Sequence, residues 1–129
     1  MSKDPRLLLT DVASYLATNG VGTIGTDLFL QNAPETPKVT TVVFLTGGPS
    51  FPDNPTRYPS FSVHHRNTNV SSGLAKATQI HSLLGDRWNV LPTLKGRIAT
   101  DQAPGAYFVD QNGMFIYGTA YRVITTDQR

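Results

Sequence analysis

Residues 110–125, which read DQNGMFIYGTAYRVIT, hold the clearest strand pattern of the chain and decide its fold class. Asn112-Gly113 readily adopts the positive φ angles of a hairpin turn. The alternation that follows predicts a long strand over Met114–Thr125. Four large side chains share one face of this strand: Phe115, Tyr117, Tyr121 and Val123. Gly118 and Ala120 leave the opposite face shallow, so that a helix could pack closely there.

Shorter strands precede this one along the chain. Apolar alternation between turn residues predicts five of them, at Asp27–Gln31, Val39–Thr46, Ser60–Arg66, Leu94–Thr100 and Ala106–Asp110. The second of these is apolar on both faces at Val42–Leu45, which predicts a central position in the sheet.

Two helices are interleaved with the strands. The first is predicted from Asp4, a good N-cap, to Asn19, with Gly20 as its stop. Its apolar stripe consists of Leu8, Leu9, Val12, Tyr15 and Leu16. Leu7 lies off that stripe, so it is either exposed or covered by another subunit. The second helix is predicted over Ser71–Leu84, with a buried stripe of Leu74, Ala77, Ile80 and Leu84.

The element order predicts one α+β domain. Two helices pack on a mostly antiparallel sheet of about six strands, in the order α-β-β-β-α-β-β-β. The length of 129 residues fits a single domain, and we expect that domain to span residues 1–129.

Composition argues against several classes of function. Charged residues make up 16% of the chain and the net charge is +2, with no two basic residues adjacent, so a DNA-gripping surface is not expected. The chain has no cysteine and no apolar run long enough to span a membrane. We therefore expect a protein that is made and kept soluble in a cytoplasm, without membrane contact.

No pattern in the sequence indicates catalysis. Gly20–Gly25 spells a dinucleotide fingerprint, but a helix precedes it and a strand follows, so no helix dipole points at a ligand. His64 and His65 are neighbours on a strand and point to opposite faces, while His81 flanks the buried stripe of the second helix. We expect no enzyme activity, no metal and no cofactor.

The segment between the second and third strands is the most unusual of the chain. Residues 47–59 contain four prolines and no periodicity, which is typical of a functional loop or a disordered one. The loop either folds back on its own domain or forms a contact arm, and the sequence favours neither. Its candidate contact residues are Phe51, Asp53, Arg57 and Tyr58.

Taken in order, the motifs of the chain resemble those of the tail-terminator proteins of siphophages, also called tail-completion or minor capsid proteins. The matching segments are Pro5–Asn19, Leu28–Leu30, Pro34-Glu35-Thr36-Pro37, Val42–Pro49, Tyr58–Val63, Gly73–Gly85 and Asp110–Tyr121. The resemblance covers nearly the whole chain. Each segment alone is common among proteins, and it is their order along the chain that supports the resemblance. One departure is the neutral, polar stretch Arg66–Ser72.

The resemblance implies a structural virion protein at the head–tail junction, present in the host bacterial cytoplasm during assembly. Copies would form a hexameric ring that caps the tail tube, ends its polymerisation and meets the head connector, while DNA only passes through the lumen. Leu7, Tyr117 and Tyr121 are the candidate subunit-interface residues, and exposed sheet edges could pair between subunits. Two alternatives remain open: a neck or head-completion protein of the same virion, and a small cellular binding module.

Overall fold

The computed structural model describes residues 5–32, 39–47, 56–57, 60–92, 96–100, 107–109 and 113–126. The elements follow in this order: α1 (Pro5–Thr18), β1 (Leu28–Leu30), β2 (Thr40–Gly47), β3 (Thr56–Arg57), β4 (Ser60–Asn67), α2 (Val70–Leu84), β5 (Arg87–Trp88), β6 (Arg97–Ala99), β7 (Tyr107–Val109) and β8 (Phe115–Thr126).

The first helix agrees with its prediction within one residue at each end. Leu8, Leu9, Val12 and Leu16 are buried, and Tyr15 is half-buried. Gly20 has a φ of 82°, the left-handed conformation that ends a helix. The expected cap, Asp4, lies outside the described residues.

The second helix begins at Val70, where Asn69 is the N-cap and its Oδ1 accepts a hydrogen bond from the Ser72 amide. Its buried residues are Gly73, Ala77, Ile80 and Leu84. The expectation that Leu74 is buried is wrong, since 42% of it is exposed. Gly73 takes the inward position, and Leu74 is rotated about 100° from it around the helix axis.

All the strands of the described residues belong to one sheet, whose main path is β1-β2-β4-β8-β6-β5, with β3 and β7 also pairing with β8. The β1–β2 pair is parallel and the remaining pairs are antiparallel. The predicted α+β class is confirmed, and β2 lies inside the sheet as expected. The two-residue strands β3 and β5 were not predicted.

The last strand organises the sheet. One edge of β8 pairs with β4 over Phe115–Arg122, and the other pairs with β7 near its start and β6 near its end. Both helices lie on the same face, because side chains of α1, α2 and the sheet share one apolar core. The Tyr15 hydroxyl of α1 also donates a 2.7 Å hydrogen bond to the Leu83 carbonyl of α2.

The helix does not cover the shallow face of β8. Gly73 of α2 contacts Tyr117, so the helix packs on the aromatic face, and the suggested packing over Gly118 and Ala120 is wrong. A large flat ring supports a helix well when the helix offers a glycine. On the opposite face the His64 ring fills the space above Gly118.

Candidate interaction surfaces

A buried polar network joins β2, β4 and the start of α2. His65 is 2% exposed, and its Nδ1 lies 3.0 Å from the Thr41 hydroxyl while its Nε2 lies 3.0 Å from the Asn67 amide nitrogen. The other end of the Asn67 side chain accepts a hydrogen bond from the Asn69 amide. Asn69 in turn caps α2, so the network fixes where the helix begins.

This network selects one form of His65. Because Asn67 Oδ1 accepts from Asn69, the Asn67 NH₂ group faces the ring and donates to Nε2. Nε2 therefore carries no proton, and Nδ1–H donates to Thr41. Burial lowers the pKa of His65 to about 4, helped by the positive charge of Lys76 and opposed by Asp27. The network is structural, since both ring nitrogens already have partners.

The space between α2 and the sheet is small. It is lined by side chains that include His65, Ala77, Ile80, Tyr117 and Tyr121, and its volume is about 10 Å³. That volume holds about one water molecule and no organic ligand. In the described part of the chain no group of three or more His, Asp or Glu residues is placed to hold a metal. No helix of that part is long and apolar enough to cross a membrane.

The glycine-rich segment after α1 forms a tight turn onto β1, in the helix-to-strand order predicted from the sequence. The Thr23 carbonyl accepts from the amides of Thr26, Asp27 and Leu28, and the Asp27 carboxylate accepts from the Thr23 amide. The Gly25 amide donates to the Leu28 carbonyl. The turn therefore folds over the outer edge of β1.

The sheet face opposite the helices carries half-buried rings. His64 and Phe44 meet edge to face with centroids 4.8 Å apart, and the His64 ring lies over Gly118. Burial lowers the pKa of His64 below its ordinary value. No described helix covers this face.

The predicted contact loop is described in part. Arg57 lies in β3, whose backbone pairs with β8 at Thr125. Phe51, Asp53 and Tyr58 lie outside the described residues, so their grouping remains a prediction. Leu7 lies within α1, and its side chain is outside the described part.

Two expected interface residues are in the interior of the monomer. Tyr117 is 2% exposed and Tyr121 is 3% exposed, both under α2. The Tyr117 hydroxyl donates to the Val70 carbonyl at 2.8 Å, and the Tyr121 hydroxyl lies 3.3 Å from His81 Nδ1. Burial raises the pKa of Tyr121 to about 12. The aromatic face is thus occupied by the chain's own helix and leaves these rings no surface for a neighbour.

The exposed apolar side chains lie elsewhere, and the sequence patterns did not single them out. Seven large ones are exposed among the described residues: Ile24, Leu30, Val39, Val70, Leu74, Trp88 and Val109. The first three surround β1 at one end of the sheet, and the other four lie on α2, β5 and β7 towards the other end. A signal was available for Val70 alone, because it lies within the neutral, polar stretch Arg66–Ser72.

Solved structures share this fold. A chain from the virion of a native gene transfer agent particle matches with a TM-score of 0.56 at 16% identity, over 95% of this chain and 91% of that one. A second solved chain matches with a TM-score of 0.57 at 13% identity, over 99% of both chains. No curated protein sequence matches.

The family model of the bacteriophage tail terminator protein matches residues 15–127. The chain therefore belongs to the bacteriophage tail terminator family, and it is a structural component of a phage tail. The resemblance drawn from its motifs is confirmed.

Proposed function

We propose that copies of this chain form a ring on the end of the finished tail tube, stop its polymerisation and present the surface that joins the head. The observation that carries the proposal is the family match, which spans the last turn of α1, the whole of α2 and every strand of the sheet. The proposed partners are other copies of the chain, the tail-tube protein and the head connector.

A mechanical role agrees with how the domain is built. The sheet and both helices share one core, so the subunit can act as a rigid block. A net charge of +2 suits a lumen through which DNA slides without being held. In this proposal the chain carries out no reaction, and it works by fitting against its neighbours.

The test is polymerisation of the tail-tube protein encoded by the same phage, followed by negative-stain electron microscopy. With the chain present, we expect tubes that stop growing and carry a ring at one end. Tubes that lengthen equally with and without the chain, and carry no terminal density, would overturn the proposal.

The same preparation distinguishes a tail terminator from a neck or head-completion protein. A head-completion protein would bind isolated connector rings and ignore tubes, whereas a terminator binds tube ends before any connector is added. Thr78→Ala, on the exposed face of α2, is a control variant that should cap tubes as well as the wild type does.

A further inference from the structure

We infer that neighbouring subunits meet head to tail through two apolar flanks at opposite ends of the sheet. The β1 flank consists of Ile24, Leu30 and Val39, and the β7 flank consists of Val70, Leu74 and Val109. The partner is a second copy of this chain. The inference rests on the proposed ring and names the surfaces that would build it.

The two flanks lie on opposite sides of the domain. β1 ends the sheet on one side, while β7 pairs with β8 on the edge that faces away from β4 and β1. Val70 and Leu74 lie one helical turn apart near the start of α2. The Val70 carbonyl accepts a hydrogen bond from the Tyr117 hydroxyl. Tyr117 is two residues from Phe115 on β8, and Phe115 pairs with Val109. A closed ring requires two different patches of this kind, each complementary to the other.

Both flanks combine exposed apolar side chains with uncharged stretches of sequence. Leu30 is 37% exposed and Val109 is 53% exposed. Residues 28–32, 39–45, 68–75 and 107–109 contain no Asp, Glu, Lys or Arg. Charge depletion around apolar side chains is the compositional mark of an interface core. The neutral stretch Arg66–Ser72, which overlaps the start of α2 and departs from the family pattern, thus becomes part of a subunit contact.

The contact is made by side chains and not by strand addition. At β1 the Leu28 amide donates to the Thr23 carbonyl, the Leu28 carbonyl accepts from Gly25, and the Leu30 carbonyl accepts from Asn32. These groups point away from β2, so the outer edge of β1 is largely satisfied within the chain. The expectation that exposed edges pair between subunits therefore does not hold at this end of the sheet.

Trp88 belongs to neither flank. Trp88 pairs with Arg97 of β6, and Arg97 pairs with Ile124 of β8. Val109 of the β7 flank pairs with Phe115, which lies nine positions before Ile124 on β8. That separation is roughly 30 Å at the rise of a β-strand. Trp88 is therefore left out of the proposed contact.

Mixing two variants tests the head-to-tail arrangement, and the test does not require knowing which residues of the two flanks touch each other. Leu30→Glu damages the β1 flank and Leu74→Glu damages the β7 flank, each at an exposed position. Each variant alone should associate at least ~10-fold more weakly than the wild type, as expected for charge placed in an interface core. An equimolar mixture should give heterodimers that cannot grow, because one intact flank of each kind remains. Native mass spectrometry reads the species directly.

Ser82→Glu is the matched control, since it adds the same charge at an exposed position of α2 about two turns beyond Leu74. It should assemble like the wild type. Where the wild type forms rings in solution, unchanged rings in either flank variant, or a mixture without heterodimers, would overturn the flank assignment. Circular dichroism melts confirm that the variants fold.

Cross-linking covers the case in which rings form on tubes alone. The chain has no cysteine, so in the Leu30→Cys and Leu74→Cys variants the introduced thiol is the single site of cross-linking. With tail tubes and a short bismaleimide, the mixture should give covalent dimers and each variant alone should not. Dimers of Leu30→Cys with itself would indicate a two-fold contact and overturn the inference. If tubes are capped but no cross-link joins the two variants, the flank assignment is wrong and the proposed function stands. If cross-links join the two variants but tubes are not capped, the flank assignment stands and the proposed function is wrong.

Discussion

Gly73 of α2 lies directly over the Tyr117 ring of β8, so close that a β-carbon at position 73 would overlap Cε2 of that ring. Tyr117 cannot easily move aside, since it is 2% exposed and its hydroxyl is bonded to the Val70 carbonyl. Gly73→Ala should therefore lower the free energy of unfolding by up to about 2 kcal/mol, which is an overpacking cost of ~1–3 kcal/mol less a gain of ~1 kcal/mol in helix propensity. Urea titration measures it.

The control for that substitution is Thr78→Ala, which gains helix propensity on the exposed face of the same helix without touching the sheet. It should be neutral or slightly stabilising. If Gly73→Ala were as stable as Thr78→Ala, the close contact between helix and ring would not constrain the fold.

The stability of the chain should fall on acidification because of His65. An unfolded histidine titrates near 6.5, whereas burial holds the pKa of His65 at about 4, so between these values the unfolded chain binds a proton that the folded chain does not. The stabilisation is complete above pH 6.5 and is lost as the pH falls to about 4, by roughly 3 kcal/mol in all. Protonated Nε2 also loses the Asn67 hydrogen bond. Unfolding titrations between pH 7.5 and 4 measure the slope.

His65→Gln should flatten that slope, since the side chain no longer titrates. His64→Gln is its matched control, one residue away on the opposite, half-buried face, where the pKa is lowered as well. We expect the His64 variant to keep most of the pH dependence. Equal slopes in wild type and His65→Gln would show that other groups account for the acid sensitivity.

Gly118 and His64 should be energetically coupled. A β-carbon at position 118 would lie 2.7 Å from Nε2 of His64, so Gly118→Ala must displace the ring and disturb its edge-to-face contact with Phe44. Losing that edge-to-face contact should cost about 1 kcal/mol. In a His64→Ala background the same substitution should cost nothing, and a double-mutant cycle measures the coupling. Additive effects would contradict this arrangement.

Phe51 and Tyr58 should serve attachment and not folding, if the proline-rich loop is a contact arm. The double variant Phe51→Ser/Tyr58→Ser is expected to melt like the wild type and to leave tail tubes uncapped in electron micrographs. Phe61→Ser, which removes a fully buried ring, is the contrasting control and should lose roughly 3–5 kcal/mol. Loss of folding in the double variant would mark the two rings as core.

The regular elements were predictable because their periodicities are strong. The stripe of α1 and the alternation of β8 each repeat over several residues, and each repeat adds to the signal. The two-residue strands β3 and β5 have no periodicity to detect, and they exist because β8 and β6 provide partners for them. Local sequence cannot reveal pairing of that kind.

The surfaces were harder to predict than the elements. Leu74 fits the apolar stripe of α2 as well as its neighbours do, and the Tyr117 ring on a distant strand decides that Gly73 points inwards. Tyr117 and Tyr121 are amphipathic and suit either an interface or a core. Which of the two they occupy depends on the face that α2 covers, and that is set by tertiary packing.

The turn over residues 23–28 also bears on how concentrated copies of the chain behave. An unprotected sheet margin recruits strands from other molecules, and that recruitment is how fibrils grow. The amide and the carbonyl of Leu28 are both hydrogen-bonded within the turn, so a strand from another molecule cannot pair with β1 at this position. Concentrated solutions of the chain should therefore resist aggregation by strand addition along β1.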